Sequence, residues 1–136
     1  MLVSSSPESF PVRTPEDVVR VRTAARRFAT ELKLGIVDQT KLVTAASEIA
    51  RNTLDHGLGG DVRLEILEKG VKRGLRLTFE DNGPGIPDIP TALQDGYTSG
   101  KGMGLGLGGT RRLVDEFDIE SQVDKGTTVT ITKWTR

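Results

Sequence analysis

Three groups of residues have the types and spacing to do chemistry. Glu48, Asn52 and His56 recur at intervals of four, which on a helix lines a carboxylate, an amide and an imidazole along one ridge. Facing a ligand, such a row is a reacting surface; facing water, it is an ordinary polar stripe. In the second group Asp81 ends an alternating apolar stretch and is followed by Asn82, Gly83, Pro84 and Gly85. Glycine lets a planar ligand lie close to backbone while a carboxylate accepts its donor. The same residues also build a plain turn. The third group runs from Gly96 to Gly109, Gly-Tyr-Thr-Ser-Gly-Lys-Gly-Met-Gly-Leu-Gly-Leu-Gly-Gly, and half of it lacks a Cβ. Leu113, Val114 and Phe117 follow at helical spacing, so the run leads into a helix N-terminus. Free N–H groups and the positive dipole end favour an anion there, most simply the phosphates of a nucleotide.

Two familiar glycine motifs are excluded. Gly96 to Lys101 has three residues between its glycines where a P-loop has four, and Gly102 stands where Ser or Thr would hold magnesium. Gly104, Gly106 and Gly109 match G-x-G-x-x-G, but a polar loop precedes them instead of the strand that a dinucleotide fold requires. Met103, Leu105 and Leu107 alternate with glycine, which a flexible linker does not need. The run therefore reads as a phosphate lid, ordered by itself or by its ligand.

These groups need elements to carry them. Residues 1–8 read as a loose end, with Phe10 and Val12 in a short edge strand. Thr14, Pro15 and Asp17 start a helix with a capping-box pattern. Its apolar stripe is Val18, Val21, Ala25, Phe28 and Leu32, and Gly35 closes it. Asp38 caps a second helix over about 39–55, buried through Leu42, Val43, Ala46, Ile49 and Ala50. The alternating segments 61–69 and 75–80 predict two strands joined near 69–74. A short helix falls within 88–95, and the helix after the glycine run spans 110–117. A closing hairpin pairs 118–123 with 127–134 around Asp124, Lys125 and Gly126. The expected fold is an α/β (α+β) two-layer sandwich, with a mixed, mainly antiparallel sheet and helices on one face. Residues 9–136 form one domain.

At 136 residues the chain can bury a core without staples. Its 19 basic and 19 acidic residues cancel, which argues against long-range attraction to nucleic acid or an anionic membrane. Arg20, Arg22, Arg26 and Arg27 form a basic face on the first helix, either solvated or docked to a protein. Without cysteine there is no disulfide, thiolate nucleophile or thiolate metal site. Neither a spanning apolar run nor a signal-peptide pattern is present, so a cytoplasmic location is expected.

Taken in order, Glu48-Ile-Ala-Arg-Asn52-Thr-Leu-Asp-His56-Gly57, then Asp81-Asn-Gly83-Pro-Gly85, then Gly100-Lys-Gly-Met-Gly-Leu-Gly106 resemble the N, G1 and G2 boxes of the GHKL superfamily. Gly126-Thr127-Thr128 looks like the last piece of that nucleotide pocket. The resemblance covers nearly the whole chain from about residue 9 and implies a Bergerat-type ATP-binding fold. Within the superfamily, the short N box is similar to that of bacterial anti-sigma-factor serine/threonine kinases. Residues 81–89, 100–119 and Lys133-Trp134 look most like RsbT-type switch kinases, whereas His56 fits the RsbW type better.

The resemblance implies ATP and Mg²⁺ as cofactors. Asp81 would accept the adenine amino group, Gly83 and Gly85 would admit the ring, and Thr128 would help through its hydroxyl. Asn52 would offer magnesium a hard, neutral oxygen. Glu48 would orient or deprotonate the attacking hydroxyl. Lys101, Gly102, Met103, Gly104, Leu105 and Gly106 would form the lid, with Lys101 and Arg112 as phosphate contacts. His56 would touch the phosphates or only end the helix. The implied activity is phosphorylation of a STAS-domain antagonist protein, with a PP2C-type phosphatase or a sigma factor as further partners and a homodimer as one assembly. The alternative is an anti-sigma factor whose nucleotide mainly shapes a sigma-binding surface.

Overall fold

Thr14 opens the first helix, α1 (Pro15–Glu31), in the computed structural model, which describes residues 2–4, 7–86, 88–93 and 106–136. The Thr14 hydroxyl accepts from the Asp17 N–H at 3.2 Å, while Asp17 Oδ2 accepts from the N–H groups of Arg13 and Thr14 at 2.9 and 3.2 Å. The expected reciprocal cap therefore forms, with Pro15 supplying a pre-set φ in the first turn. The helix ends earlier than expected. Lys33 takes a left-handed conformation (φ 58°). Its N–H reaches the Thr30 carbonyl, and the Leu34 N–H reaches that of Ala29, both at 3.0 Å. This Schellman closure on a non-glycine residue buries Leu34.

Gly35 consequently does not close α1 but stands as N-cap of the second helix, α2 (Ile36–Asp55). Asp38 is not its cap either. From the first turn of α2 its carboxylate accepts from Arg136 Nε at 3.2 Å and lies 3.4 Å from Lys133 Nζ. A basic partner at the far end of the chain has taken the oxygen atoms that a cap would have used.

The strands are β1 (Leu2–Ser4), β2 (Glu8–Val12), β3 (Gly60–Lys69), β4 (Lys72–Asp81), β5 (Glu116–Gln122) and β6 (Gly126–Trp134), in the order β1-β3-β4-β6-β5 with β2 also on β3. Part of the expected loose end is thus strand: Leu2–Ser4 pair with residues 67–69, beyond the stretch of β3 that β2 occupies. Every described ladder is antiparallel, where a mixed sheet was expected. The cause is the placement of β6: β4 and β5 run parallel to each other, but β6 lies between them and pairs with both. Alternation sends Val62, Leu64, Leu75, Leu77, Phe79, Val129 and Ile131 into one core with α1 and α2. Asp81 and Thr127, at odd positions of β4 and β6, share that face.

Two short helices complete the chain, α3 (Ile89–Ala92), capped by Asp88, and α4 (Gly106–Arg111). The helix expected over 110–117 begins and ends earlier. Phe117 lies in β5 opposite Ile131 and alternates with Ile119, so the period of two prevails over the period of 3.6. The basic face of α1 is mostly engaged within the chain: Arg20 with Asp17 at 2.7 Å, Arg27 with Glu8 at 2.6 Å and Arg22 with the Ser47 hydroxyl at 2.8 Å. Among the described residues no helix is long and apolar enough to cross a membrane.

Two carboxyls make this fold acid-sensitive. The Arg13 N–H holds Asp17 below the ordinary value of 3.8 against an opposing effect of burial, with help from Thr14 and Arg20. The hydrogen bond from Arg136 does the same for Asp38, again against burial, and the Lys133 charge adds to it. A group whose pKa falls on folding stabilises the fold fully above its unfolded value and loses that effect as pH drops through the folded value. The melting temperature should therefore stay level down to about pH 5 and fall below about pH 4. Asp38→Asn should melt lower than the parent at neutral pH, with the gap narrowing at pH 3. A constant gap across a calorimetric pH series would remove Asp38 from this account.

Candidate active site

The last turns of α2 carry the ridge. Glu48 is largely covered, its side chain 15% exposed, and Oε1 accepts from Arg51 Nη1 at 3.0 Å. Asn52 sits one turn on and is half-buried. Its carbonyl accepts from the N–H groups of His56 and Gly57 at 2.9 and 3.1 Å, which ends the helix. The Asn52 side-chain amide has no hydrogen-bond partner among the described residues, so its oxygen is available to a ligand. His56 is the exposed C-cap residue, in keeping with a helix-ending role.

The end of this helix lies against Asp81, which closes β4. A Cβ placed on Gly57 would stand 2.3 Å from Asp81 Oδ2, so only a glycine lets α2 finish against that carboxylate. The other oxygen, Oδ1, accepts from the Gly83 N–H at 2.9 Å and the Thr127 N–H at 3.2 Å. Gly126 has φ +102°, and a Cβ there would lie 2.0 Å from the Asp81 carbonyl oxygen. Backbone from three separate segments thus grips one carboxylate at the end of β4.

Two expectations change here. Gly83 and Gly85 were expected to make room for a ring, but the space beside them holds backbone, that of Gly57 at Gly83 and of Gln122 at Gly85. Thr128 was expected to serve the site, but it pairs with Glu80 and so points to the sheet face away from Asp81. The hydroxyl on the Asp81 face is that of Thr127, one residue earlier. Its oxygen lies 2.8 Å from the Ser121 hydroxyl, which also accepts from the Ile86 N–H at 2.8 Å.

Lys101, Gly102, Met103, Gly104 and Leu105 lie outside the described residues. Gly106, the next lid residue, opens α4 with φ +70°, and α4 packs on α2. Thr110 is fully buried there and donates to the Gly106 carbonyl at 2.8 Å. Arg112 is exposed just past α4. The end of the glycine run thus returns to the helix that carries Glu48 and Asn52. A cavity of about 250 Å³ at the neighbouring strand ends is bordered by Arg13, Gly57, Asp61, Glu80 and Asn82, and Asp81 does not line it.

Arg51 and Ser121 were not read from sequence as candidate site residues, and Thr127 was read only as part of the Gly126-Thr127-Thr128 piece, with the hydroxyl role given to Thr128. For Thr127 the signal was present: Val129 and Ile131 are core residues, so odd positions of that strand face the helices. Arg51 and Ser121 carried no such mark.

Residues 37–135 match the family model described as histidine kinase-, DNA gyrase B-, and HSP90-like ATPase. The chain is 41% identical over 125 residues to the serine/threonine-protein kinase RsbT of Bacillus subtilis (strain 168), covering 92% of this chain and 94% of that one. It is 36% identical over 126 residues to the anti-sigma F factor of Geobacillus kaustophilus (strain HTA426), covering 87% and 83%. Among solved structures, one of the RsbU and RsbW domains of a Mycobacterium tuberculosis protein superposes with a TM-score of 0.65 at 23% identity, over 95% of this chain and 32% of that chain. The mycobacterial sensor histidine kinase MprB superposes with a TM-score of 0.58 at 21% identity, over 95% and 99%. These two share the fold. The match to the family model covers the ridge, the strand-end carboxylate and the glycine-rich return to α2 alike, and the chain belongs to the histidine kinase-, DNA gyrase B- and HSP90-like ATPase family.

Proposed function

We propose that this chain is an ATP-dependent protein serine/threonine kinase of a bacterial partner-switching module, acting in the cytoplasm on a STAS-domain antagonist protein. The observation that carries this reading is the meeting of the α2 ridge with Asp81 across Gly57, in a chain 41% identical to a serine/threonine-protein kinase. The residues fit the nucleotide. Asp81 presents an acceptor whose orientation is fixed by two N–H donors, suited to the amino edge of adenine. Among the described residues no three acidic or histidine side chains gather to hold a metal. A magnesium ion would therefore take the Asn52 oxygen together with phosphate and water oxygens, and it would supply charge neutralisation on the transferring group.

Glu48 stands one turn before Asn52, where it can receive the proton of an attacking serine or threonine hydroxyl. In phosphoryl transfer most of the rate comes from positioning and charge stabilisation, so one base on a rigid helix suffices. Lys101 through Gly106 would close over the phosphates. A PP2C-type phosphatase, a sigma factor and a second copy of the chain are the further partners of this reading. The similarity to an anti-sigma F factor supports the alternative in which the chain chiefly sequesters a sigma subunit.

The test is incubation with labelled ATP, Mg²⁺ and a STAS-domain protein encoded beside this chain, scoring label on serine or threonine. Asp81→Asn should weaken nucleotide binding by about 30-fold, about 2 kcal/mol for a hydrogen bond to a charged group. Absence of label with nucleotide still bound would favour the sequestering alternative. Wild-type affinity in Asp81→Asn would remove Asp81 from the pocket.

A further inference from the structure

Ser121 belongs to none of the motifs above, yet its hydroxyl has three partners among the described residues. It accepts from the Ile86 N–H at 2.8 Å, reaches the Gly126 carbonyl at 3.1 Å and lies 2.8 Å from Thr127 Oγ1. A hydroxyl has one proton and two lone pairs. The Gly126 carbonyl can only accept, so the Ser121 proton goes there. The Ile86 N–H can only donate, so it takes one lone pair. With both of those bonds made the remaining lone pair faces Thr127, and the arrangement that satisfies all three partners makes Thr127 the donor in the bond between the two hydroxyls. All three valences of Ser121 are then filled.

The consequence falls on Thr127. Its proton is committed to Ser121, and what Thr127 Oγ1 can still offer a ligand is a lone pair. Its own backbone N–H is bound to Asp81 Oδ1 at 3.2 Å. The hydroxyl beside the carboxylate thus behaves as a second acceptor, although threonine can in general serve as either. We propose that Ser121 is a specificity-determining residue, which fixes the Thr127 hydroxyl as an acceptor and so makes the site select a purine carrying an amino group over one carrying an oxo group at the same position. An amino group brings two N–H donors to two acceptors. An oxo group brings lone pairs against lone pairs, and buried polar groups left without a partner are costly.

The proposal rests on the nucleotide reading above and deepens it. Ser121→Ala releases the Thr127 proton, so that Thr127 can rotate and donate to an oxo group. Ser121→Thr keeps the hydroxyl and serves as the control. The experiment compares MgADP with MgIDP by calorimetric titration of the full chain and both variants, with folding checked by circular dichroism. The two differ in the amino or oxo group at the purine 6-position and in the adjacent N1, an acceptor in adenine and an N–H in hypoxanthine. The expected result is a wild-type preference for ADP that drops by about tenfold in Ser121→Ala, one hydrogen bond's worth, and is kept in Ser121→Thr. Loss of affinity for both nucleotides by the same factor would make Ser121 merely structural and overturn the proposal. An unchanged ratio in Ser121→Ala would also overturn it. Should Ser121→Ala fail to fold, Thr127→Val decides: it removes the acceptor, and an ADP/IDP ratio equal to wild type would overturn the assignment. If the wild-type chain binds neither nucleotide, the nucleotide reading itself fails, which the wild-type titration shows before any variant is compared.

Discussion

Glu48→Gln is expected to slow phosphoryl transfer to the protein acceptor by about 10²- to 10⁴-fold, the usual contribution of a positioned general base. Glutamine has the size of glutamate and keeps an oxygen for Arg51 Nη1, which now binds Oε1 at 3.0 Å, so the packing at the end of α2 should persist. What is lost is the ability to take up a proton. Because that ability matters only as the hydroxyl attacks, kcat should fall while MgADP affinity stays within about twofold. Single-turnover transfer from labelled ATP, with MgADP titrated in parallel, separates the two quantities. Transfer at the parental rate would reduce Glu48 to a largely covered partner in an ion pair with an exposed arginine, and pairs reaching the surface in this way contribute little to stability.

The second large effect is on the fold. Gly126→Ala would place a methyl group 2.0 Å from the Asp81 carbonyl oxygen, on a residue with φ +102°. Overpacking costs about 1–3 kcal/mol, and holding a side chain in a disfavoured backbone region costs about 1–3 kcal/mol more. Together these approach the total stability of a marginal domain, about 5–15 kcal/mol. Gly70→Ala provides the comparison: Gly70 also has positive φ, +62°, but nothing lies within 4 Å of its would-be Cβ. Urea titrations should show Gly126→Ala losing about 1–3 kcal/mol more than Gly70→Ala, the overpacking cost that the two do not share. Equal losses would mean that the strand end is loose enough to absorb a methyl group and that the grip on Asp81 is weak.

The parts of this molecule readable from sequence are those where a local pattern has one physical solution. Thr14, Pro15 and Asp17 could hardly do anything but cap a helix, and the alternation through Leu75, Leu77 and Phe79 specifies a half-buried strand. Readings failed where a distant partner intervened. Asp38 in front of an apolar stripe looks like a cap until Arg136 and Lys133 arrive from the other end of the chain. Gly35 looks like the stop of α1, but Lys33 takes the left-handed turn instead and Leu34 is buried behind it. Phe117 fits two periods at once, and its place opposite Ile131 follows from the sheet alone.

For the candidate site, Glu48, Asn52 and Asp81 were legible as residue types that could do chemistry, but what surrounds them was not. Choosing Thr128 over Thr127 is an error of one residue, and in a strand one residue is the difference between two faces. The glycines beside Asp81 were read as space for a ligand because sequence shows only that a Cβ is missing. It does not show what fills the gap, which at Gly83 and Gly85 is another stretch of main chain.

That Asp81 Oδ1 is held by the amide hydrogens of Gly83 and Thr127 determines which experiments can detect this hold. Alanine scanning replaces side chains and leaves both donors in place, so a survey of that kind would score the two positions by bulk and backbone freedom and miss the bonds altogether. Proline at Thr127, or an amide-to-ester exchange at either position, deletes the donor itself. What fixes the Asp81 carboxylate is thus largely independent of side-chain identity and can persist while the surrounding residues drift.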